Sequence, residues 1–167
     1  PIGRFSISVP QSMTRAARLS SLWFRTVTEV VLPDGQNYEQ MVNTIWNTRL
    51  VEIKKLNPPR KHNEVLIETR ELGNDNQWAR AVLFRGNSSS NIDVNWDLLA
   101  LKGNHAIWVN WSGSESAAPQ MLKHNIDIAN AYRPLDLAAP FPKENGFYLK
   151  HGYIELPYQS QEETYAR

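Results

Sequence analysis

The chain has 167 residues, a hydrophobic content of 41% and a formal net charge of +1, which suits one domain of ordinary size with a real core. It contains no cysteine, so disulfides, cysteine-ligated zinc and thiol catalysis are excluded. The near balance of acids and bases disfavours a nucleic-acid binder, and no apolar run approaches the roughly 20 residues of a membrane span.

The first ten residues carry apolar side chains at every second position from Phe5 to Val9. This is the period-two pattern of a strand with one buried face, and Pro10 ends it because proline cannot donate to a sheet ladder. We expect a loop or one helical turn over residues 11–21 and a second strand over Leu22–Leu32. Because the chain opens directly in a strand, we expect it to be one module of a longer polypeptide.

A long amphipathic helix is predicted from Tyr38 to Leu56. Asn37 and Gln40 resemble a capping box at its start, and Asn57-Pro58-Pro59 ends it because the residue before proline avoids the helical region. The apolar positions at helical spacing are Met41, Val42, Ile45, Trp46, Leu50 and Ile53.

Four strands separated by short turns are predicted next, and short turns between neighbouring strands indicate antiparallel hairpins. A second amphipathic helix follows, with its N-cap expected within Ser112–Ser116, Pro119 in its first turn and its end before Pro134. Helices set apart from an antiparallel sheet predict an α+β fold, a two-layer antiparallel sheet of about six strands with two amphipathic helices. The four strands are Glu64–Leu72, Gln77–Gly86, Asn91–Leu101 and His105–Trp111.

The composition changes at residues 134–146, where three prolines lie close together. This segment is predicted to be a semi-rigid linker, which places a domain boundary at its end. Residues 1–146 would form an N-terminal α+β domain, and residues 147–167 would hold the first strand of a second, truncated domain. The strand predicted over Phe147–Pro157 either begins that domain or returns to the first sheet.

The sequence lacks the common motifs of catalysis. The sequence contains no Gly-x-Ser-x-Gly elbow, phosphate loop or dinucleotide fingerprint, and its four histidines lack the paired spacing of a zinc site. Asp93, Asn95 and Asp97 share one strand face, but a calcium loop needs glycine and glutamate where Leu98 and Asn104 stand. We therefore interpret these three side chains as the polar outer face of a half-buried strand.

Several aromatic or ionisable side chains have a functional and a structural interpretation. Trp23 and Trp108 fall opposite the predicted buried face, so they are either exposed binding anchors or lie under helices that cover both faces of the sheet. His124 is expected to face solvent. His151 and Glu155 share a face of a predicted strand and could form an acid–base pair, although no third group would orient the imidazole.

The opening Ile2-Gly3-Arg4-Phe5-Ser6-Ile7-Ser8-Val9-Pro10 resembles the start of the mature region in a family of bacterial immunity proteins, which inhibit the fourth family of lipase effectors of type VI secretion. The stretch from Asn145-Gly146-Phe147 to Tyr153-Ile154 is similar to the start of the family's C-terminal domain, at the right distance. Family members often carry a cysteine where Ile2 stands.

The resemblance implies a non-enzymatic periplasmic protein that grips a toxic phospholipase in a 1:1 complex and blocks access to its active site. A signal peptide, which the printed chain does not carry, would be expected. The resemblance implies no cofactor, metal, nucleic acid or membrane span. The rest of the second domain would be a further candidate partner, present as a separate chain.

The interface itself is predicted from topology, because the resemblance supplies no short site motif. Alternate hairpins turn at alternate ends of a sheet, so the loops Pro58–Asn63 and Asn87–Asn91 should meet at one end. Two other functions remain open, a non-catalytic envelope interaction or chaperone-like domain with another partner, and a small hydrolase using His151 and Glu155. The predicted partner-binding residues are Arg60, His62, Asn87, Ser88 and Asn91.

Overall fold

Six antiparallel strands form the larger sheet in the computed structural model, which describes residues 20–22, 25–57, 62–73, 77–86, 93–135 and 146–155. The strand order across this sheet is β1-β2-β6-β5-β4-β3. Its strands are Ser20–Leu22 (β1), Arg25–Val31 (β2), Leu66–Glu71 (β3), Ala79–Phe84 (β4), Asp93–Lys102 (β5) and His105–Ser114 (β6).

Two helices and a smaller sheet complete the fold. Helix α1 (Tyr38–Lys54) connects β2 to β3, and helix α2 (Ala118–Ala131) follows β6 after a short 3-10 helix (Glu115–Ala117). The smaller sheet has the strand order β7-β9-β8. Its strands are Tyr132–Pro134 (β7), Phe147–Tyr148 (β8) and Gly152–Ile154 (β9).

Helix α1 begins where the sequence predicts. The Asn37 side chain accepts a hydrogen bond from the Gln40 backbone N–H at 3.1 Å, which satisfies one of the free donors of the first turn. The helix ends at Lys54, two residues before the predicted Leu56. Val42, Trp46 and Ile53 form its buried stripe, which confirms the amphipathic pattern.

Helix α2 begins differently from the prediction. Its N-cap is Ala117, without a side-chain hydrogen bond, and no serine of Ser112–Ser116 caps it. Instead, β6 continues to Ser114 before the 3-10 helix turns the chain. The predicted cap of α2 was therefore wrong, because Ser112 and Ser114 extend the strand and Ser116 lies in the 3-10 helix. Pro119 does lie in the first turn of the helix, where its missing N–H costs nothing.

The two helices cover opposite faces of the larger sheet. Along β5, the residues Val94, Trp96 and Leu98 belong to a core that contains Leu122 and Ile128 of α2. The next residue, Leu99, faces the other way and belongs to the core of α1. The α+β class and the antiparallel sheet are confirmed, and the second helix adds a third layer to the two expected.

Trp108 shows that the second interpretation of the aromatic residues is correct for this position. Its ring stacks on Trp46 of α1, with centroids 6.1 Å apart and an angle of 22° between the planes. It is half-buried in the α1 core and is therefore no fully exposed anchor. Trp23 lies outside the described residues.

The first strands differ in part from the sequence prediction. The strand predicted over Leu22–Leu32 is divided, since Ser20–Leu22 pairs back on Arg25–Val31 as a separate strand, and Ser20 had been expected in a loop. The three hairpins joining β3, β4, β5 and β6 are confirmed. The strand predicted over residues 5–9 lies outside the described residues.

Residues 146–155 form two short strands, β8 and β9, where one strand over Phe147–Pro157 was predicted. The β9 strand pairs with β7 and β8, not with the larger sheet. Phe147, Leu149 and Ile154 are buried in the core beneath α2. Most of the proline-rich segment lies outside the described residues, and the domain boundary at residue 146 stays a prediction.

Candidate functional site

The loops predicted to bind a partner lie largely outside the described residues. This applies to Arg60, Asn87, Ser88 and Asn91, while His62 is described and half-buried. The flanking strand ends can be placed, because Phe84 pairs with both Leu66 and Asn95. The chain therefore enters β3 and leaves β4 at the same end of the sheet, but the contribution of the five side chains stays a prediction.

A groove of about 810 Å³ lies between α1 and the strands β2, β5 and β6. Its existence follows from a change of side-chain character along the α1 face of the sheet. Leu99 and Ala106 are buried under the helix, whereas Asn95, Asn110 and Ser112 lie farther along the same face and line the groove. Because polar side chains give a helix no apolar surface to cover, the polar end of this face stays open.

The floor of the groove is made of neighbouring strand residues with hydroxyl and amide groups. In the sheet register, Thr26 of β2 lies opposite Asn110 of β6, and Asn110 lies opposite Asp97 of β5. Thr28 lies opposite Trp108 in the next row. The wall that faces this floor comes from α1 and consists of Thr44, Ile45, Thr48, Arg49 and Glu52.

A buried ion pair joins the helix to the groove floor. Asp97 is only 3% exposed, and its carboxylate accepts hydrogen bonds from Arg49 Nε at 2.7 Å and from Asn110 Nδ2 at 2.6 Å. Burial alone would lower the pKa of Arg49, but the Asp97 carboxylate and Glu52 raise it above its usual value. Arg49 therefore stays charged and holds one orientation.

The environment of Asp97 corrects the sequence interpretation of Asp93, Asn95 and Asp97. This face was expected to be the polar outer side of the strand, yet α1 covers part of it and Asp97 is buried. The Asp97 carboxylate is occupied by a guanidinium and an amide. In the described part of the chain, no three His, Asp or Glu side chains come together as a metal site.

A second polar cluster connects the two sheets on the opposite face. The Glu29 carboxylate of β2 accepts a hydrogen bond from Tyr132 Oη at 2.8 Å and another from the His151 backbone N–H at 2.9 Å. Desolvation and the charge of Glu29 raise the pKa of Tyr132, so this phenol remains a donor. Glu29 thus fixes β7 and the turn before β9 against the larger sheet.

Two histidines meet beside this cluster. The rings of His105 and His151 lie 6.1 Å apart between centroids. His105 is 7% exposed, and among the described residues its buried Nδ1 has no hydrogen-bond partner. Burial lowers the pKa of His105, Glu29 counteracts this and His151 adds to it.

The structure gives the proposed acid–base pair no support. The Glu155 carboxylate lies 3.9 Å from Arg133 Nε, and the described contacts of His151 are with Glu29 and His105. His151 precedes β9 and Glu155 follows it, so both residues lie just outside the strand.

His124 is half-buried and not simply solvent-facing, which corrects the sequence expectation. Its Nδ1 lies 3.2 Å from an amino nitrogen of Arg25. Arg25 is buried, and its Nε donates to Asn125 Oδ1 at 2.8 Å. Desolvation lowers the pKa of Arg25. These contacts join α2 to β2, so His124 has a role in packing.

Exposed apolar surface is sparse in the part of the chain that the structure describes. Among the described residues, only Val31 and Val51 are large hydrophobic side chains with high exposure. Within the same residues, neither helix has the length and apolar character needed to cross a bilayer. The groove combines its polar groups with the half-buried ring of Trp108. Sequence reasoning missed it, although the alternate polar residues at 95, 97, 110 and 112 were a signal.

The fold is similar to that of two solved protein structures. One is the apo immunity protein TplEi of the type VI secretion system (T6SS) of Pseudomonas aeruginosa, with a TM-score of 0.67, 18% identity, and coverage of 92% of this chain and 49% of that chain. The other is a chain in the crystal structure of the Tle4–Tli4 complex, with a TM-score of 0.69, 17% identity, and coverage of 92% and 48%.

Neither a protein-family model nor a curated protein matches the sequence. The chain spans about half the length of the two structures that it resembles. At this level of identity, the similarity establishes a shared fold, which extends over nearly the whole of this chain.

Proposed function

We propose that this chain is an immunity protein, or part of one, that binds and inhibits an antibacterial lipase effector of type VI secretion. The observation that carries the proposal is the shared fold with TplEi and with the Tle4–Tli4 complex over 92% of the chain. The opening residues 2–10 and the stretch 145–154 independently resemble the family that inhibits the fourth group of lipase effectors.

The proposed mechanism is occupation of surface on the effector, in a 1:1 complex that blocks substrate access. It requires no nucleophile, metal or cofactor from this chain. The ionisable clusters described here connect elements of the fold, since Asp97 binds Arg49 and Glu29 binds Tyr132. Arg60, His62, Asn87, Ser88 and Asn91 are the loop residues proposed to contact the effector.

The proposed location is the periplasm, where an effector that attacks phospholipids would meet its inhibitor. The proposed domain division follows the resemblance as well, with residues 147–167 beginning a second domain. The size of the two similar structures supports a longer protein, because this chain matches about half of each.

Size-exclusion chromatography with light scattering tests the partner. The chain is mixed with the lipase effector encoded beside it, and an unrelated lipase serves as the control. We expect a 1:1 complex with the cognate effector alone. Absence of that complex, together with stable binding to a non-lipolytic envelope protein, would contradict the proposal and favour the chaperone-like alternative.

A further inference from the structure

The groove between α1 and the sheet has features of a protein-binding surface. Its lining combines the ring of Trp108 with Arg49 and a series of threonine, asparagine and serine side chains. Tryptophan and arginine are enriched among residues that dominate interface energies. A small-molecule pocket, in contrast, is lined mainly by apolar groups with few polar ones.

The neutral side chains of the groove match the chemistry of a peptide backbone. Threonine and serine hydroxyls and asparagine amides can each donate and accept hydrogen bonds, and a peptide presents both N–H and C=O groups. Thr26, Asn110 and Asn95 lie on three adjacent strands, so they extend this capacity across the floor. An extended segment can therefore be bound there without regard to most of its side chains.

The charges of the groove favour one type of side chain. The lining contains two carboxylates, Asp97 and Glu52, and one guanidinium, that of Arg49. Asp97 is enclosed, whereas the side chain of Glu52 is 58% exposed and lies at the groove wall, 3.2 Å from Arg49. The excess negative charge is thus accessible at Glu52, where it would attract a cation.

Arg49 is held in place before any partner binds. It is bonded to Asp97 and Glu52, and its guanidinium carbon lies 5.7 Å from the centroid of the Phe84 ring. A side chain that is already immobilised loses little rotamer entropy on binding. The groove is therefore preorganised in its centre and bears its excess negative charge at its rim.

We propose that this groove binds an extended segment of the lipase effector, and that a lysine or arginine of this segment pairs with Glu52. The inference rests on the proposed function and deepens it, because it adds a surface distinct from the predicted loops. The hydroxyl and amide groups of the floor bind the backbone of the segment, and Glu52 selects its basic side chain.

Charge-reversal variants test the groove in binding titrations with the cognate effector. Glu52→Lys should weaken the complex by at least about tenfold. The introduced lysine repels the basic side chain of the effector, and this repulsion also slows association. Asp127→Lys is the matched control, since Asp127 is exposed on α2. This substitution makes the same change of charge on the other side of the larger sheet. Its dissociation constant should stay within about twofold of the wild-type value.

A second variant tests the floor of the groove without changing Glu52. Thr28→Arg fills the floor and leaves Glu52 in place, and it should also weaken binding, while thermal unfolding checks that each variant is folded. If Glu52→Lys and Thr28→Arg both bind the effector within about twofold of the wild-type affinity, the groove is not the binding surface. The proposed function would be unaffected by that result. Failure of the wild-type chain to bind the effector would overturn both. A wild-type homodimer that Glu52→Lys dissociates would show that a second copy occupies the groove, which also contradicts the inference.

Discussion

At the scale of single residues, Asp97 has a buried carboxylate whose charge depends on two neighbours. Arg49 and Asn110 both donate to it, and little water reaches it because the residue is 3% exposed. A buried charge that loses its partner is strongly destabilising, whereas an exposed pair contributes little. Asp97 should therefore be important to stability as well as to the shape of the groove.

Asp97→Asn tests this role. The substitution keeps the shape but places an amide N–H against one of the two donors, so we expect a loss of about 2–3 kcal/mol in the free energy of unfolding. Glu71→Gln is the control, because Glu71 pairs with Arg80 at 3.1 Å while its side chain is 80% exposed. It should change stability by less than about 0.5 kcal/mol. Urea denaturation measures both, and equal effects would contradict the buried pair.

His105 predicts a pH dependence of stability. Burial lowers its pKa below the 6.5 of the free side chain, and Glu29 and His151 are the ionisable groups that act on it. As the pH falls through 6.5, the unfolded chain takes up the proton first, so the folded state loses stability. The contribution is complete above that pH and decreases below it.

The His105→Gln variant, compared with the wild type, tests this pH dependence of stability. Urea unfolding at about pH 7.5 and pH 5.5 should show a larger acid-induced loss for the wild type than for the variant, because the variant lacks this titrating group. The two proteins differ at this position alone, so the difference between their acid-induced losses reports the effect of His105. An identical loss in both would show that His105 does not respond to pH in this way.

At the scale of elements, the smaller sheet is fixed to the larger one through Glu29. Tyr132 begins β7 immediately after α2, and its hydroxyl reaches Glu29 of β2. The contact closes a separation of 103 residues in sequence. It therefore defines how the end of α2 and the smaller sheet are placed on the larger sheet.

Tyr132→Phe removes only the hydroxyl of this contact. Because Glu29 then loses one of its two described donors, we expect a cost of about 1–2 kcal/mol. Tyr38→Phe is the control, since the Tyr38 hydroxyl donates to Asp34 at 3.3 Å in an exposed position, and it should be nearly neutral. Thermal unfolding ranks the two variants, and a neutral Tyr132→Phe would show that the hydroxyl does not secure the sheet.

Helix α1 and the hairpin strands could be predicted from the sequence because local patterns specify them. Asn37 caps the helix, and Gly103 turns the chain between Lys102 and His105 with a φ of +64°, a conformation that glycine adopts easily. The short strands β8 and β9 were predicted as one, since two or three residues hold too little pattern to locate a turn.

The groove could not be predicted because it depends on how far α1 extends over the sheet. Alternation along β5 shows that Asn95 and Asp97 share a face. The same sequence pattern is expected whether this polar face is exposed to water or lies next to a helix. The burial of Asp97 requires Arg49, which lies 48 positions earlier in the chain. Such a distant pairing leaves no periodic signal in either segment.

At the scale of the whole molecule, the chain is a helix–sheet–helix sandwich extended by a smaller sheet. The α2 side is closed by a continuous core that includes Phe147 and Ile154, whereas the α1 side is open at one end. This asymmetry leaves the groove on the face away from the smaller sheet. A partner that enters it would not disturb the contacts that hold the two sheets together.

Inhibition by occupancy is tested most directly by titrating the cognate lipase with this chain and following hydrolysis of a fluorogenic ester. In the proposed 1:1 mechanism each bound chain blocks one enzyme, so activity should fall in proportion to the added chain and reach its minimum at one equivalent. The chain alone should hydrolyse nothing. Full lipase activity at an excess of chain, or inactivation by a small fraction of an equivalent, would contradict the account.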